Sequence, residues 1–296
     1  MTVNPKPFLQ RIKASFPDLT WKQYVLLNHG WDHIVVILDN AFVFRFPSSP
    51  EYLNQFKDEV SLLTLLSTKI QTPIPQYIFI ANDFSFGGYP IIPGKELQEE
   101  IFARLSSDQQ GKIAQQLGSF LSKLHTFSAK EVQAYSIGSE NYLNDFGRLK
   151  NQLPKYLKNV LSREEYALAQ TILHETEQLI RHELPRVLIH ADLSSAHILW
   201  DASTKKIGII DFSDRLMGDP ALDFAELYAY GEAFVDEVYA QYHGPKDPQF
   251  RKRAKLYYKR VGVFLMIESF ISEKITFVQA SALCLCSFYL HHGMLP

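Results

Sequence analysis

Two aspartates and a histidine stand at the ends of short apolar runs between Val187 and Asp223, VLIHADLSSAHILWDASTKKIGIIDFSDRLMGDPALD. The run Val187–Ile189 ends in His190-Ala191-Asp192. His197 follows five residues after Asp192 and leads into Ile198, Leu199 and Trp200. After a polar turn, Asp201–Lys206, the run Ile207–Ile210 ends in Asp211. Runs of this length bounded by polar turns read as short buried strands, which displays Asp192, His197 and Asp211 at or beside strand ends. Two carboxylates and an imidazole gathered there suit a divalent metal with a nearby base. An aspartate on its own often just opens a turn, so the inference rests on the three together.

Phosphoryl transfer asks for an Asp that holds an acceptor hydroxyl and takes its proton. It also asks for two further ligands that hold Mg²⁺ against nucleotide phosphates. Asp192, His197 and Asp211 match those roles in that order. The segments His190-Ala191-Asp192…His197, Ile209-Ile210-Asp211-Phe212-Ser213-Asp214 and Gly218-Asp219-Pro220…Asp223 resemble the aminoglycoside phosphotransferases. These are antibiotic kinases with a protein-kinase-like fold, built around HGD-x-x-x-x-N and IDFGD…DP motifs. His197 in place of Asn is similar to the 2″-phosphotransferase and macrolide-kinase branches. Arg45 within Val43-Phe44-Arg45-Phe46-Pro47, and the stretch Pro73-Ile74-Pro75-Gln76-Tyr77, are similar to the 2″ branch. The resemblance spans most of residues 8–240, and the catalytic block is its specific part.

The resemblance implies an α+β, bilobal, protein-kinase-like fold. Residues 1–93 would form a small β-rich nucleotide-binding lobe that includes the hinge strand. Residues 94–296 would form a larger, mostly helical lobe for catalysis and substrate binding. Asp192 becomes the catalytic base and acceptor-orienting acid, with His197 and Asp211 as metal ligands.

The N-terminal pattern supplies elements to position these groups. Phe8, Leu9, Ile12 and Phe16 repeat at helical spacing up to Pro17. Strands are expected at Tyr24–Leu27, Ile34–Leu38 and Ala41–Phe46, the last two joined by an Asp39-Asn40 hairpin turn. The loop Asn28–His33, with Gly30 as its one glycine, occupies the place of a phosphate-covering loop, and as a signal by itself it is weak. Arg45 points, by strand alternation, opposite to Phe44 and Phe46. It would grip the nucleotide phosphates where kinases usually carry Lys, a planar fork in place of a compact ammonium. Its expected partner is Glu59 on a helix over Glu51–Lys69, chosen over Asp58 because Glu59-Val60 matches the family's x-E-V/I ending.

Apolar strands are expected at Tyr77–Ala81 and Tyr89–Ile92, before Pro93-Gly94 breaks the pattern. In a kinase this is the hinge, where Pro90 and Ile92 would meet the base through their backbones; Pro90 can offer only its carbonyl. Tyr89 would gate the base pocket, and in the resembling branch a tyrosine there goes with GTP preference. Leu199 and Ile210 complete the expected nucleotide-binding set.

Helices follow the hinge. Ser106 and Gln109 form a capping box for a helix reaching His125, which reads as a core histidine. Ser162–Leu184 reads as another helix. Asp219-Pro220 reads as an N-cap with Pro in the first turn. Asp223 is expected to tie that turn to the catalytic loop. The last third is helical and aromatic, from Tyr257 and Phe264 to Phe288 and Tyr289, and is expected to close the substrate side.

Composition bounds the rest. The chain has 296 residues, 46% hydrophobic and 21% charged, with net charge −2, an ordinary globular balance. That charge offers no electrostatic case for nucleic acid or an anionic membrane. The start, MTVNPKPFLQRIKASF, carries no charged-then-apolar signal pattern, and Glu268 interrupts the run Val261–Ile271. Cys284 and Cys286, one residue apart, fit neither a zinc site nor a disulfide framework and read as buried thiols. A cytoplasmic monomer is expected.

The leading reading is a kinase that uses ATP or GTP with Mg²⁺ and phosphorylates a hydroxyl of a small, cationic acceptor. An aminoglycoside stands first. A macrolide, an aminocyclitol or another hydroxyl metabolite is the alternative. The 2″ branch carries an acidic cluster where this chain reads Ala229-Tyr230-Gly231-Glu232, with one carboxylate, so Tyr230 and Glu232 are the expected acceptor contacts there. Asp214, Glu226, Asp236 and Glu237 could compensate. A metallohydrolase using His190, Asp192 and His197, and a nucleotide-binding pseudokinase, are the competing classes.

Overall fold

The computed structural model describes residues 3–27, 33–50, 52–135, 137–139, 142–180, 183–272 and 275–288. The loop expected to cover phosphates (residues 28–32), Glu51 and Tyr289 lie outside them, as does the side chain of Cys286.

Helix α1 (Lys6–Ser15) leads into a five-stranded antiparallel sheet built from β1 (Tyr24–Leu27), β2 (His33–Leu38), β3 (Phe42–Pro47), β4 (Phe79–Ile80) and β5 (Gly87–Pro90), in the order β1-β2-β3-β5-β4. The β2–β3 turn places both Asp39 and Asn40 at positive φ (51° and 50°), the geometry of a tight primed hairpin turn. Alternation then divides the sheet's faces. Val36, Leu38, Phe44 and Phe46 pack with Ile12, Ala81 and Phe86 into a small core. Val35, Ile37, Val43 and Arg45 turn the other way, toward a cavity.

The hinge strand differs from the sequence expectation. The paired strand is Gly87–Pro90, not Tyr89–Ile92, and its partner shortens to Phe79–Ile80. A Cβ on Gly88 would lie 2.6 Å from the Phe44 ring, and one on Gly87 would meet Phe56, Tyr77 and the Phe79 carbonyl at 3.0 Å. Packing of aromatic rings onto bare backbone therefore selects the glycines as the strand.

Helix α2 (Tyr52–Leu66) lies next to this sheet. Its Leu62, Leu63 and Leu66 join the large core formed with the rest of the chain. A second small sheet contains β6 (Lys95–Glu96), β9 (Ile198–Asp201) and β10 (Lys206–Ile209). A third contains β7 (Gly138–Ser139), β8 (Val187–Ile189) and β11 (Leu216–Gly218). Among the described residues the remaining structure is helical: α3 (Glu99–Ala103), α4 (Ser107–Leu124), α5 (Ala129–Val132), α6 (Tyr142–Tyr156), α7 (Arg163–Ile180), α8 (Glu232–Gln241), α9 (Phe250–Glu268) and α10 (Phe277–Phe288). The fold is thus α+β, an N-terminal antiparallel sheet followed by a helical part.

The capping box of Ser106 and Gln109 starts α4. Helix α7 is described through Ile180; residues 181–182 lie outside the described residues, and the expected end at Leu184 is not helical. The Asp219 carboxylate accepts the Ala221 N–H as expected of an N-cap, but the turn it opens, Pro220–Phe224, is a 3₁₀ helix. Cys284 is buried and in no disulfide. No helix among the described residues is long and apolar enough to cross a membrane.

Candidate active site

The catalytic loop runs from the end of β8 to the start of β9, and Asp211 follows β10 by two residues. Because β9 and β10 pair antiparallel with Ile198 opposite Ile209, the residues beyond this shared end, His197 and Asp211, come together. His197 Nε2 lies 3.8 Å from Asp211 Oδ2, and the Asp192 carboxylate lies 3.2 Å from His197 Nδ1.

The loop is held from behind by Asp223. Its carboxylate accepts the backbone N–H of His190 (2.9 Å) and of Ala191 (2.8 Å), and its Oδ2 lies 3.0 Å from His125 Nε2. His125 Nδ1 in turn meets the Tyr242 hydroxyl at 2.7 Å. Ala191 and Asp211 both have positive φ (68° and 62°), a conformation that costs an L-residue energy and persists only where neighbours impose it. Asp219 anchors the same 3₁₀ turn from the other side, accepting from Arg253 Nε (2.7 Å) and from the Tyr257 hydroxyl (2.9 Å), all of them buried. Arg253 was not singled out in the sequence, and Tyr257, expected on the substrate side, is instead buried against Asp219.

Arg45 crosses to this site from β3. One guanidinium nitrogen lies 2.5 Å from Glu59 Oε1, and the other is 3.0 Å from Asp211 Oδ1 and 2.9 Å from the Ser213 hydroxyl. Ser213 also donates to Asp211 Oδ1 at 2.7 Å. Burial opposes the charge on Asp211, but Arg45 and the Ser213 hydroxyl outweigh it and hold the carboxyl well below the usual range. Arg215, unremarked in the sequence, braces the segment by donating to the carbonyls of Phe212, Ser213 and Gln55.

Two cavities meet at Arg45, Val35 and Asp211. The first, about 580 Å³, is mostly aliphatic and is walled by Tyr89, Ile92, Leu199 and Ile210. Tyr89 is buried with its ring edge-on to Tyr77, while Pro90 is exposed at the strand end. The second, about 590 Å³, holds Asp192, His197, Asp211, Asp214 and Glu226, with Val261, Phe264 and Leu265 from α9 on the far wall. Glu226 entered the sequence reading only as a compensating acid; burial, then the Asp192 charge, raises its carboxyl to about 7. Tyr230 and Glu232 lie apart from this cleft. The Tyr230 hydroxyl donates to the Leu97 carbonyl, its ring packs on Phe102 and Phe234, and Glu232 pairs with Lys255. Asp236 pairs with Arg251 on the surface.

His197 Nε2 and the Asp211 carboxylate face each other and are the groups that would hold a divalent cation, although among the described residues no group of three or more His, Cys, Asp or Glu is arranged to hold a metal ion. The Asp192 carbonyl lies 2.8 Å from His197 Nδ1 and accepts its proton, which leaves Nε2 as the nitrogen that faces Asp211. Burial would lower the His197 pKa, but its hydrogen bond to Asp192 and the two carboxylates raise it to about 9, so without metal the ring is cationic. A metal between Nε2 and Asp211 would replace that proton. His190 is not available as a ligand: it is buried, its Nε2 lies 3.0 Å from the Ile210 carbonyl, and its Nδ1 accepts the Asp192 N–H. The three-ligand hydrolase arrangement of His190, Asp192 and His197 is thereby lost.

The profile of the phosphotransferase enzyme family (APH) matches residues 23–254. The chain belongs to that family. The phosphotransferase also shares its fold with solved structures at low sequence identity. APH(2″)-IIia in its GDP and kanamycin complex is 24% identical, covers 95% of this chain and 98% of its own, and superposes with a TM-score of 0.85. The streptomycin–ATP ternary complex of APH(2″)-IIa is 20% identical, with coverage of 97% and 99% and a TM-score of 0.72. Macrolide 2′-phosphotransferase MphH from Brachybacterium faecium is 18% identical, with coverage of 98% and 100% and a TM-score of 0.69. As a member of this family, the protein is a phosphotransferase enzyme.

Proposed function

We propose that this phosphotransferase is a small-molecule kinase that transfers the γ-phosphate of ATP or GTP to a hydroxyl of an aminoglycoside. The observation that carries the reading is the contact of Arg45 with Asp211 beside Asp192, at the junction of an aliphatic cavity and an acidic cleft. The base occupies the cavity walled by Tyr89, Ile92, Leu199 and Ile210, reached along the hinge where the nucleotide lobe (1–93) passes into the catalytic lobe (94–296). The phosphates extend toward Arg45, which Glu59 keeps oriented. Mg²⁺, when bound by His197 and Asp211, neutralises charge on the transferring phosphoryl group. Asp192 accepts the hydrogen bond of the acceptor hydroxyl, aims its oxygen along the line of transfer and takes its proton.

Asp192, Asp214 and Glu226 suit a polycationic acceptor, and such complementarity steers binding. The names of APH(2″)-IIia with kanamycin and APH(2″)-IIa with streptomycin support the same class. A macrolide is the second reading, favoured by the apolar wall of Val261, Phe264 and Leu265 and by the likeness to MphH. The test is NDP release with Mg²⁺-ATP and Mg²⁺-GTP against aminoglycosides, macrolides and spectinomycin, alongside Asp192→Asn. Acceptor-dependent turnover lost in the variant supports the kinase and names its acceptor. Nucleotide binding with no acceptor-stimulated turnover removes the antibiotic-kinase reading.

A further inference from the structure

His33 opens β2 and lines the same cleft as Asp192 and Asp211, yet the residue is only 7% exposed. Its Nδ1 lies 3.1 Å from Arg45 Nη2. A guanidinium has only donors, so Nδ1 must present its lone pair, and the proton of the neutral ring sits on Nε2. Burial, reinforced by the Arg45 charge, pushes the pKa of the ring down to about 3, so it is neutral at ordinary pH. Nε2 is buried and has no hydrogen-bond partner among the described residues. Native structures seldom leave a buried N–H without an acceptor, so a retained one asks for a ligand that supplies it.

The surroundings define that ligand. The guanidinium beside the orphan N–H favours an anion that accepts without donating, as phosphoryl and carboxylate oxygens do, and the nucleotide proposed above would bring phosphoryl oxygens to this cleft. The loop before His33 has one glycine, Gly30, so the sequence gives little support for a glycine-rich cradle of backbone N–H groups. A side-chain donor at the loop's exit supplies a hydrogen bond in its place.

We propose that His33 is a nucleotide-contacting residue whose Nε2–H donates to a non-bridging oxygen of the terminal phosphate, with Arg45 locking the tautomer. This rests on the nucleotide-dependent kinase reading above. His33 thus distinguishes a nucleoside triphosphate from the diphosphate product.

The test is calorimetric titration of the full chain in Mg²⁺ buffer with ADP, GDP and the non-hydrolysable β,γ-imido analogues of ATP and GTP. It compares the wild type with His33→Phe, which keeps a ring and removes the donor, and His33→Gln, which keeps a donor. His33→Phe should weaken the preferred triphosphate analogue about tenfold, the scale of one charge-assisted hydrogen bond, and change the diphosphate less than twofold. His33→Gln should recover part of the loss. Equal weakening of both nucleotides, or no weakening, overturns the proposal. So does a collapse of melting temperature in both variants, which would make His33 a structural residue. A wild type that binds no nucleotide overturns the kinase reading itself, and the role of His33 with it.

Discussion

Arg45 lies 3.0 Å from Asp211 although 166 residues separate them, and the same guanidinium holds Glu59 at 2.5 Å. One buried cation thus links β3, α2 and the segment after β10, so the site's electrostatics and the packing of the sheet against the helical part depend on each other. Removing one partner of a buried pair leaves the other charge uncompensated, at a cost of about 3–5 kcal/mol. Glu59→Ala should lose stability on that scale in urea unfolding, and nucleotide affinity should fall with it. An unchanged midpoint would show that Asp211 alone satisfies Arg45.

Asp192 shares the cleft with Asp211 and His197 and is the proposed base that orients the acceptor. Asp192→Asn keeps size and loses the proton acceptor. It should lower kcat by about 10²–10⁴-fold with little change in nucleotide binding. Steady-state kinetics beside a nucleotide titration separates the two effects.

Asp223 satisfies two backbone N–H groups of a strained loop, and truncation would strand both. Asp223→Ala should cost about 2–4 kcal/mol and lower kcat, because the Ala191 conformation loses its support. Asp223→Asn, which still offers one carbonyl oxygen, should lie between the wild type and Asp223→Ala in both unfolding and turnover.

Glu226 faces Asp192, Arg260, Glu99 and His197, and its pKa is raised to about 7 by burial and by Asp192. A cationic acceptor prefers the ionised carboxylate, so affinity should climb as pH rises through about 7 and level off above it. Glu226→Gln should flatten that rise. The sign for stability is opposite. The folded state holds this proton more tightly than the unfolded chain, so the group's contribution is present at low pH and is lost as pH rises through about 7. Wild type should therefore weaken relative to Glu226→Gln between about pH 4 and 8, by about 3 kcal/mol. Melting temperatures across that range check it.

Gly208 in β10 lies directly under the hinge: a Cβ there would come 2.3 Å from Ile92 Cγ2. Gly208→Ala should push Ile92 into the base cavity, cost about 1–3 kcal/mol and weaken nucleotide binding without changing the acceptor KM. Weakened acceptor binding with intact nucleotide affinity would contradict that placement of Ile92.

The convergence of Asp192, His197 and Asp211 was legible because it is local. Apolar runs ending in Asp192 and Asp211, with His197 before the intervening strand, place three groups at one edge through strand pairing alone. Glu59 was legible as the partner of Arg45 through the family's ending at Glu59-Val60. The capping box at Ser106 and the cap at Asp219 were legible because such bonds join near neighbours. The hinge strand was not. Apolar pattern favoured Tyr89–Ile92, whereas the ring of Phe44 from another strand requires the bare backbone of Gly87 and Gly88. Tyr230 and Glu232 stand close in sequence to Glu226, yet the 3₁₀ turn over Glu226–Tyr230 leaves only Glu226 of the three lining the Asp192 cleft.

The chain's own order of residues carried the motif resemblance that implied the family and the fold class, and short-range spacing singled out the candidate groups Asp192, His197 and Asp211. Tertiary structure decided which groups meet. Arg45 reaches Asp211, His33 turns its Nδ1 to Arg45, and Arg253 and Tyr257 bury themselves on Asp219. The contacts of Arg45 with Asp211 and of Arg253 and Tyr257 with Asp219 join segments 34 to 166 residues apart, whereas His33 and Arg45 are neighbours across the β2–β3 hairpin. Their partners are set by where the hydrophobic cores force the elements to pack and by the requirement that every buried charge find an opposite one, and no local pattern encodes that choice.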